Sequence, residues 1–474
     1  MVMRGGWILL NNGCIIRRIS DRIRTGARWY ASLPKLTPEE VTRILRTNEF
    51  TQEFEGGQPI KYYDSNQLAS NNPLEDARAE GRCRLTNGLL FGIFDGHGGN
   101  SCAQVVSKRL LHYISACLLP QEILLDTLKE SKTPEQLRDH LLESFHNKTE
   151  FVPEIGELYG ESFLSFLSKV SQKDGDNGGI ESDMETAFLS LDNDISDEAL
   201  RKVKRQIDAR TLSVAMSGAV AVVAHVDGPH LHVAGVGDCQ AVLGVYSEDE
   251  GWSAKLLTVE HNTDNREEVE RILSEHPENE SRTVIKMDRL LGQLAPLRAL
   301  GDFRYKWSKE LMKKIVVPYY GDGAVPPNYH TPPYLTAKPQ VMYHRLTPKD
   351  KFLIIATDGL WDLLSPLEAV QLVGEHMRGK LTLSSWKPPT SNMKLSEING
   401  MLQERKEGLK KKPLDDNAAT HLLRNALGGT DHGIDHAKVS QFLTLPNEVV
   451  RIFRDDITIT IGYTDTEFLS HCSS

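Results

Sequence analysis

Aspartates follow apolar runs at several points of this 474-residue chain, and glycines accompany most of them. The run LLFGIF leads into Asp95-Gly96-His97, and FLIIAT leads into Asp358-Gly359. A carboxylate without a partner at the end of a buried strand is costly to desolvate. Several such carboxylates at one edge become favourable if they share divalent cations, because Mg²⁺ and Mn²⁺ prefer oxygen ligands. The pattern therefore predicts a metal centre, although a single Asp-Gly after a strand usually marks only a turn.

Two further acidic positions fit the same pattern. Asp238 follows the apolar run LHVAGVG, and Asp455-Asp456 precedes ITITI. Glycine lets the backbone approach a metal closely, so the carbonyl of Gly96 is itself a candidate ligand. For His97 taken alone, a structural hydrogen bond is the simpler interpretation. The combined pattern, and no single residue, supports the hypothesis of an active site.

The elements that must position these residues follow from hydrophobic periodicity. Short β-branched runs at 219–226, 231–237 and 241–246 predict a β-meander, with further strands at 352–357 and 457–463. Because helices and strands alternate along the chain, we expect one interleaved domain of mixed α and β structure. The apolar spacing predicts helices over 102–118, 134–150, 157–171, 184–206, 359–377 and 418–427.

Composition excludes several classes of protein. The chain is 39% hydrophobic and 25% charged, which is typical of a globular protein. It contains no apolar run of the roughly 18 residues that a transmembrane helix needs. Its six cysteines include no C-x-x-C pair. This argues against a thiolate zinc site and a disulfide framework, and favours a reducing compartment.

The first thirty residues differ from the rest of the chain. They contain six arginines and one aspartate, without lysine or glutamate. This composition predicts a mitochondrial transit peptide over 1–30, followed by an N-terminal extension over 31–60. A disordered basic tail is the alternative. Removal of this segment, with its net charge of +5, would change the chain from −10 to −15. Such an acidic protein is not expected to bind nucleic acid.

Six motifs in a fixed order carry a resemblance to a known family. FGIFDGHGG, SGAVAVVAHV, VGDCQAVL, LRALGDF, FLIIATDGLWD and RDDITITI span roughly residues 60–463 and resemble the metal-dependent Ser/Thr protein phosphatases of type 2C. The resemblance implies an α+β fold, a four-layer α-β-β-α sandwich with two largely antiparallel sheets and a bimetal centre at one edge. It assigns this catalytic domain to residues 61–465, with insertions near 316–338 and 379–416.

The same resemblance implies two Mg²⁺ or Mn²⁺ ions in each active site. Asp95 resembles the carboxylate that bridges both ions, and Gly96 resembles the residue that offers its carbonyl to one of them. Asp358 and Asp455 resemble the remaining carboxylates of the second ion. His97 resembles the general acid that protonates the departing serine oxygen.

The resemblance also implies roles for three further residues. Glu75 matches an acid that binds metal-bound water, and Asp238 matches an acid linked to a third, weaker metal site. Asn71 stands where most of the family has an arginine that clamps the substrate phosphate. Because asparagine brings no charge, weaker phosphate binding is expected from this substrate-binding position. Asp456 stands where asparagine is commoner, and little consequence is expected from that change.

Longer stretches narrow the resemblance to one mitochondrial branch of the family. YYDSNQLASNNPLEDAR, PPNYHTPPYLTAKP and DNAATHLLRNAL resemble the branch that acts on the pyruvate dehydrogenase complex. This implies a location in the mitochondrial matrix and the phosphorylated decarboxylase subunit of pyruvate dehydrogenase as substrate. It also implies docking on a lipoyl domain of the acyltransferase core, with calcium at that interface and a regulatory subunit as optional partners.

Two alternatives stay open. One is the same chemistry on another mitochondrial phosphoprotein. The other is a non-catalytic scaffold with a phosphatase fold. A scaffold that had lost its metals should lack at least one of Asp95, Asp358 and Asp455, and all three are present.

Overall fold

The computed structural model describes residues 34–130, 133–146, 151–172, 178–203, 206–383, 394–408, 413–430 and 432–472. The predicted transit peptide, residues 1–30, lies outside the described residues. Residues 384–393 and 409–412 of the predicted insertion at 379–416 also lie outside them. Both therefore stay predictions. None of the helices in the described ranges combines the length and the apolar character that crossing a bilayer requires.

Two antiparallel sheets form the centre of the fold. In the first sheet the strand order is β1-β2-β13-β12-β8-β9. In the second sheet it is β11-β7-β6-β4-β3-β5, and β10 pairs with β6. The strands, in chain order, are β1 Phe50–Glu53, β2 Ile60–Leu68, β3 Ala77–Cys83, β4 Leu89–His97, β5 Leu142–Ser144, β6 Gly218–Asp227, β7 His230–Val236, β8 Gln240–Ser247, β9 Gly251–Leu256, β10 Leu300–Gly301, β11 Gln340–Arg345, β12 Asp350–Ala356 and β13 Ile457–Thr464.

Helices surround the two sheets, and short hairpins connect some of them. The longer helices are α1 Pro38–Leu45, α2 Ser101–Cys117, α3 Gln121–Glu130, α4 Pro134–Leu141, α5 Pro153–Val170, α6 Gly179–Leu200, α7 Ala209–Met216, α8 Arg266–Glu275, α9 Pro366–Leu383, α10 Leu395–Gly408, α11 Ala418–Gly428, α12 His436–Leu443, α13 Asn447–Phe453 and α14 Thr466–His471. Single helical turns are Glu278–Glu280, Ser281–Val284, Phe303–Tyr305, Lys309–Leu311, Met312–Val316, Val317–Tyr320, Asp322–Ala324 and Asp358–Trp361. Two-residue hairpins pair Lys202–Val203 with Gln206–Ile207, Ile285–Lys286 with Arg289–Leu290, and Gly429–Thr430 with Gly433–Ile434.

The alternation of side chains along β12 shows how the layers are built. Phe352, Ile354 and Ala356 belong to the core between the first sheet and helices α9 and α11. Leu353 and Ile355 belong to the core that lies between the two sheets. Successive side chains of a strand point to opposite faces, so one apolar strand can serve both layers. Helices α2 and α6 cover the outer face of the second sheet. The four-layer α-β-β-α sandwich is therefore confirmed.

The predicted secondary structure agrees with the structure for the meander and differs in some helices. The runs at 219–226, 231–237 and 241–246 form β6, β7 and β8. The helix predicted over 134–150 ends at Leu141, because the next three residues pair with β3 as strand β5. The helix predicted over 184–206 begins earlier and ends at Leu200 as α6. At Leu141 pairing with the distant strand β3 ends the helix, and local periodicity does not contain that information. After Leu200 the chain instead turns into the short hairpin of Lys202–Val203 with Gln206–Ile207.

Residues of the predicted N-terminal extension pack directly on the first sheet. Strand β1 pairs with β2. Val41 and Leu45 of α1 are each 1% exposed and lie in the core between this sheet and its helices. The Nδ2 group of Asn66 in β2 donates a hydrogen bond to the Leu45 carbonyl at 2.7 Å. The part of 31–60 that the structure describes thus contributes to the core.

The predicted insertion at 316–338 is also held by buried side chains. It contains the single helical turns Val317–Tyr320 and Asp322–Ala324 despite its many prolines. The Tyr329 hydroxyl donates to the Trp307 carbonyl at 2.5 Å. The Tyr334 hydroxyl donates to Glu280 Oε2 at 2.5 Å. Two buried aromatic side chains thus fix a segment that has little regular structure of its own.

A buried ion pair ties α8 to the segment that leads into β10. The Glu268 carboxylate, on a residue only 3% exposed, accepts hydrogen bonds from Arg298 Nε at 2.8 Å and Arg298 Nη2 at 2.7 Å. Burial favours a higher pKa for Glu268, but hydrogen bonds and charges from Arg298 and Arg271 outweigh it and lower this pKa to about 2. Arg298 precedes Leu300–Gly301 by two residues, so the pair anchors that segment.

We expect Glu268→Gln to lower the free energy of unfolding at pH 7 by about 3–5 kcal/mol, because Arg298 would lose its buried counter-charge. The folded pKa lies below the ordinary value of 4.5. The carboxylate's contribution is therefore complete above that value and is lost as the pH falls towards 2. Urea unfolding at pH 7 and at lower pH measures both effects. Glu270→Gln, which removes an exposed partner of Arg266, is the control. Equal stability of Glu268→Gln and wild type at pH 7 would contradict the prediction.

Candidate active site

Strand ends from both sheets place aspartates at one edge of the sandwich. Asp95 lies near the end of β4 in the second sheet, and Asp358 follows β12 of the first sheet. Asp238 lies in the connection that leaves the second sheet at β7 and enters the first sheet at β8. Asp455 comes two residues before β13 begins. The antiparallel topology thus brings together acids that are far apart in sequence.

Asp95 and Asp358 form the centre of this group. Each of these two carboxyl groups shifts the pKa of the other. Burial raises the pKa of Asp95 well above its usual range, and the charges of Asp76 and Asp358 raise it further. Burial likewise raises the pKa of Asp358. Burial and the charge of Asp358 raise the pKa of Asp238 to about 7. These carboxylates repel one another, and a positive charge among them would relieve that repulsion.

The possible ligand atoms at this edge fit a hydrated hard cation. All the acidic side chains offer oxygen, and Asp358 Oδ1 is buried without a hydrogen-bond partner. Within the described ranges, no three His, Cys, Asp or Glu side chains converge closely enough to ligate one ion together. Mg²⁺ keeps several waters and needs only one or two carboxylates. The arrangement therefore fits a hydrated ion held by few protein ligands, and does not fit a closed cage.

Glycines allow the chain to approach Glu75. A Cβ atom on Gly96 would overlap the Glu75 carbonyl oxygen and would lie 3.0 Å from Ala103 Cβ. The Glu75 Oε1 atom accepts a hydrogen bond from the backbone N–H of Gly99 at 2.8 Å. Gly99 has a φ of 114°, a conformation that glycine adopts far more readily than other residues. The DGHGG loop therefore holds Glu75 beside the end of β4.

A second close approach brings Asp455 beside Asp358. A Cβ atom on Gly359 would overlap the Asp456 carbonyl oxygen and would lie 3.3 Å from Asp455 Cβ. The Asp455 carboxylate forms an ion pair with Arg451, and its Oδ1 accepts from the Asp456 N–H at 2.6 Å. Asp455 thus lies beside Asp358, and its charge is matched by that of Arg451.

His97 is held by a carboxylate that the sequence analysis did not include among the site residues. His97 Nε2 and Asp302 Oδ2 are 2.5 Å apart. Asp302 is 4% exposed, has a left-handed φ of 51°, and donates its backbone N–H to the Ser217 carbonyl at 2.9 Å. Gly218 makes room for the pair, because a Cβ atom there would overlap both His97 Nε2 and Asp302 Oδ2.

Asp302 also determines the protonation of His97. Burial alone would lower the pKa of His97, but the charge and the hydrogen bond of Asp302 outweigh burial and raise it. The signal for this residue was present in the sequence, since LRALGDF contains another acid directly after a glycine. Its pairing with His97 depends on β10 lying beside β6, and the sequence pattern does not reveal that contact.

The two positions at which the sequence departs from the type 2C pattern contact each other. The Asp456 Oδ1 atom accepts backbone N–H groups of Ser70 and Asn71 at 2.5 and 2.8 Å. Its Oδ2 atom accepts the Asn71 side-chain amide and the Glu75 N–H, both at 2.9 Å. Asp456 therefore fixes the loop that carries Glu75 through these four hydrogen bonds, an arrangement that we call the Asp456 clamp. The amide nitrogen of Asn71 is used in this clamp, and a role of Asn71 in substrate binding stays a prediction.

Asp76 is a further buried acid that received no role from the sequence. Its Oδ2 atom accepts hydrogen bonds from the hydroxyls of Thr458 at 2.7 Å and Thr357 at 3.1 Å. Burial, opposed by these hydrogen bonds and aided by the charge of Asp456, raises its pKa to about 8. When it is ionised, the charge of Asp76 raises the pKa of Asp95.

Comparison with known proteins agrees with this fold. The family model described as protein phosphatase 2C matches residues 153–397. The mitochondrial pyruvate dehydrogenase (acetyl-transferring) phosphatase 1 of Rattus norvegicus is 42% identical over 467 residues, covering 94% of this chain and 86% of that protein. Phosphatase 2 of the same name in Homo sapiens is 40% identical over 453 residues, covering 91% and 84%. Phosphatase 1 of Saccharomyces cerevisiae is 28% identical over 468 residues, covering 90% and 73%.

The sandwich, its acidic edge and these matches define a protein phosphatase. More particularly, the chain belongs to the protein phosphatase 2C family, whose members depend on metal ions. This confirms the resemblance carried by the six motifs. The roles of the individual site residues stay predictions.

We expect Asp302→Asn to lower the pKa of His97, because the charge that favours the imidazolium is removed while its burial remains. Titration of ¹⁵N-labelled histidine by NMR measures this shift. The folded pKa of His97 is raised. The pair's contribution to stability is therefore complete below the ordinary histidine pKa and is lost as the pH rises through the folded pKa. The difference in free energy of unfolding between wild type and Asp302→Asn should therefore become smaller as the pH rises through the folded pKa of His97. Asp264→Asn, at an exposed residue, is the control. An unchanged pKa of His97 would rule out this role of Asp302.

We expect Asp456→Asn to lower the free energy of unfolding by about 1–3 kcal/mol, because an amide NH₂ would replace an oxygen that accepts hydrogen bonds. A double-mutant cycle with Asn71→Ala tests the contact between the two side chains. The coupling energy should be about 0.5–3 kcal/mol, as for residues in one hydrogen-bond network. Additive effects in urea unfolding would show that the two side chains act independently.

Proposed function

We propose that this chain is a Mg²⁺- or Mn²⁺-dependent phosphoserine phosphatase of the mitochondrial matrix that reactivates the pyruvate dehydrogenase complex. The observation that carries this proposal is the 42% identity to a phosphatase of that name, which extends over 94% of the chain. The site supports it, since Asp95, Asp358 and Asp455 all stand at the same edge of the sandwich. The arginine-rich segment 1–30 is the proposed transit peptide.

The acidic edge is the proposed binding place for two metal ions. Asp95, the Gly96 carbonyl, Asp358 and Asp455 would hold them, and Glu75 would bind water coordinated to one ion. Asp238 is the proposed ligand of a third, weaker ion. When bound, such ions stabilise negative charge on phosphate oxygens and favour deprotonation of water near neutral pH. The mutual repulsion of these carboxylates supports the assignment, because cations would relieve it.

His97 is the proposed proton donor to the departing serine oxygen. Its Nε2 atom is directed to Asp302, so the proton on Nδ1 is the one available for transfer. The raised pKa of His97 keeps the imidazole protonated at higher pH than usual. General acid help of this kind contributes about 10²–10⁴-fold to a rate.

We also propose which parts of the pyruvate dehydrogenase complex are the substrate and the docking partner. The phosphorylated decarboxylase subunit is the proposed substrate, and a lipoyl domain of the acyltransferase core is the proposed docking partner. Calcium at that interface and a regulatory subunit are further parts of the same proposal. The names of the relatives support the complex as the target.

Phosphate release from the phosphorylated complex by the full chain, measured against Mg²⁺ concentration, tests the function. We expect release that depends on Mg²⁺, stops with EDTA and falls at least about 10³-fold in Asp95→Asn, because a carboxylate that holds the metal is lost. Asp264→Asn should release phosphate at the wild-type rate.

Each other outcome has a definite meaning. Mg²⁺-dependent release from a phosphoserine peptide but not from the complex would keep the enzyme and reject the substrate. No release from either would reject catalysis and favour the scaffold. Full activity in Asp95→Asn would remove Asp95 from the active site.

A further inference from the structure

We propose that Arg451 binds the phosphate group of the substrate and supplies the positive charge that position 71 lacks. This inference rests on the proposed phosphatase function and deepens it, because it names a residue that recognises the substrate phosphate. It comes from the distribution of charged groups around the acidic edge.

The loop that precedes β3 provides no cation for phosphate. Its sequence from residue 69 to residue 76, ASNNPLED, contains neither lysine nor arginine. Asn71 donates its side-chain amide to Asp456 Oδ2 at 2.9 Å, so this donor is already used within the loop. A dianionic phosphate that approaches a group of carboxylates requires compensating charge beyond hydrogen bonds from neutral groups.

Arg451 provides a positive charge beside the Asp455 carboxylate. It lies in the last turn of α13, four residues before Asp455, and its guanidinium forms an ion pair with the Asp455 carboxylate. Its charge also acts on Asp358, the neighbouring acid of the same edge. The guanidinium therefore contacts Asp455, and its charge lowers the pKa of Asp358.

Exposure leaves Arg451 accessible to a substrate. Its side chain is 45% exposed, whereas that of Asp455 is 27% exposed. A guanidinium has five N–H donors, and an ion pair with one carboxylate oxygen leaves others to bind phosphate in a bidentate manner. Phosphate arriving from solvent at Asp455 and Asp358 would thus meet this group.

Arg454, three residues after Arg451, has a structural role. Arg454 is buried, and it donates to Ser70 Oγ at 2.5 Å and to the Ala69 carbonyl at 2.7 Å. Arg454 thus stabilises the loop that precedes β3 through these two hydrogen bonds. Arg451 pairs with a carboxylate near solvent, where an ion pair adds little to stability. The stability of the fold therefore gives little reason for an arginine at position 451, and phosphate binding gives one.

The test compares Arg451→Gln and Arg451→Lys with wild type at saturating Mg²⁺. We expect Arg451→Gln to raise both the KM for the phosphorylated complex and the inhibition constant of inorganic phosphate about tenfold, as for loss of a charge-assisted hydrogen bond. Arg451→Lys should raise them less, because lysine keeps the charge but not the fork of donors. Arg266→Gln, which also breaks an i,i+4 ion pair on a helix, is the matched control and should change neither.

Positioning of Asp455 is the competing explanation for Arg451. In that case the Mg²⁺ concentration for half-maximal activity would change, while the KM and the inhibition constant of phosphate stayed within about twofold of wild type. That result would overturn the inference and leave the proposed function intact. Thermal unfolding of each variant confirms that it is folded.

Direct binding of inorganic phosphate separates this inference from the proposed function. Calorimetry with phosphate in the presence of Mg²⁺ does not require turnover. Weaker phosphate binding by Arg451→Gln than by wild type would support the inference even if the complex were not a substrate. Equal binding by both would overturn it, whatever the activity.

Discussion

Desolvation of several carboxylates at one edge of the sandwich is the constraint on which the rest of the site depends. Asp95 and Asp358 each shift the pKa of the other, and burial raises the pKa of both. Groups of this kind are costly to bury without compensating charge. The surrounding structure consequently fixes each carboxylate through glycines, which allow close approach of the backbone, and through hydrogen bonds from neighbouring loops. Divalent cations would supply such a compensating charge.

Two acidic residues outside the predicted set of ligands organise this edge. Asp456 accepts four hydrogen bonds from the loop of Asn71 and Glu75, and Asp302 holds His97. The carboxylates at the site thus serve two different purposes. Some face one another and repel, while others accept hydrogen bonds that keep the loops in place. The distinction follows from what each oxygen contacts and not from the residue type.

The arginines near the site differ in the same manner. Arg454 is buried and supports the loop that precedes β3, whereas Arg451 faces Asp455 and solvent. Asparagine at position 71 and aspartate at position 456 form one structural unit, because the side chains of the two residues are hydrogen bonded. The two departures from the family pattern, at positions 71 and 456, are therefore coupled in the structure.

The resemblance of six sequence motifs implied the family and the layered α+β fold, and the comparisons and the structure confirm both. The residues themselves predicted mixed α and β structure, the meander strands and the candidate acids Asp95, Asp358 and Asp455. These features are local, since an apolar run followed by Asp-Gly is visible in a few residues. Only the tertiary structure decided that Asp302 pairs with His97, that Asp456 clamps Asn71, and that the helix after Pro134 ends at Leu141. Each of these depends on contact between segments that are distant in the chain, and neither periodicity nor spacing records which distant segments meet.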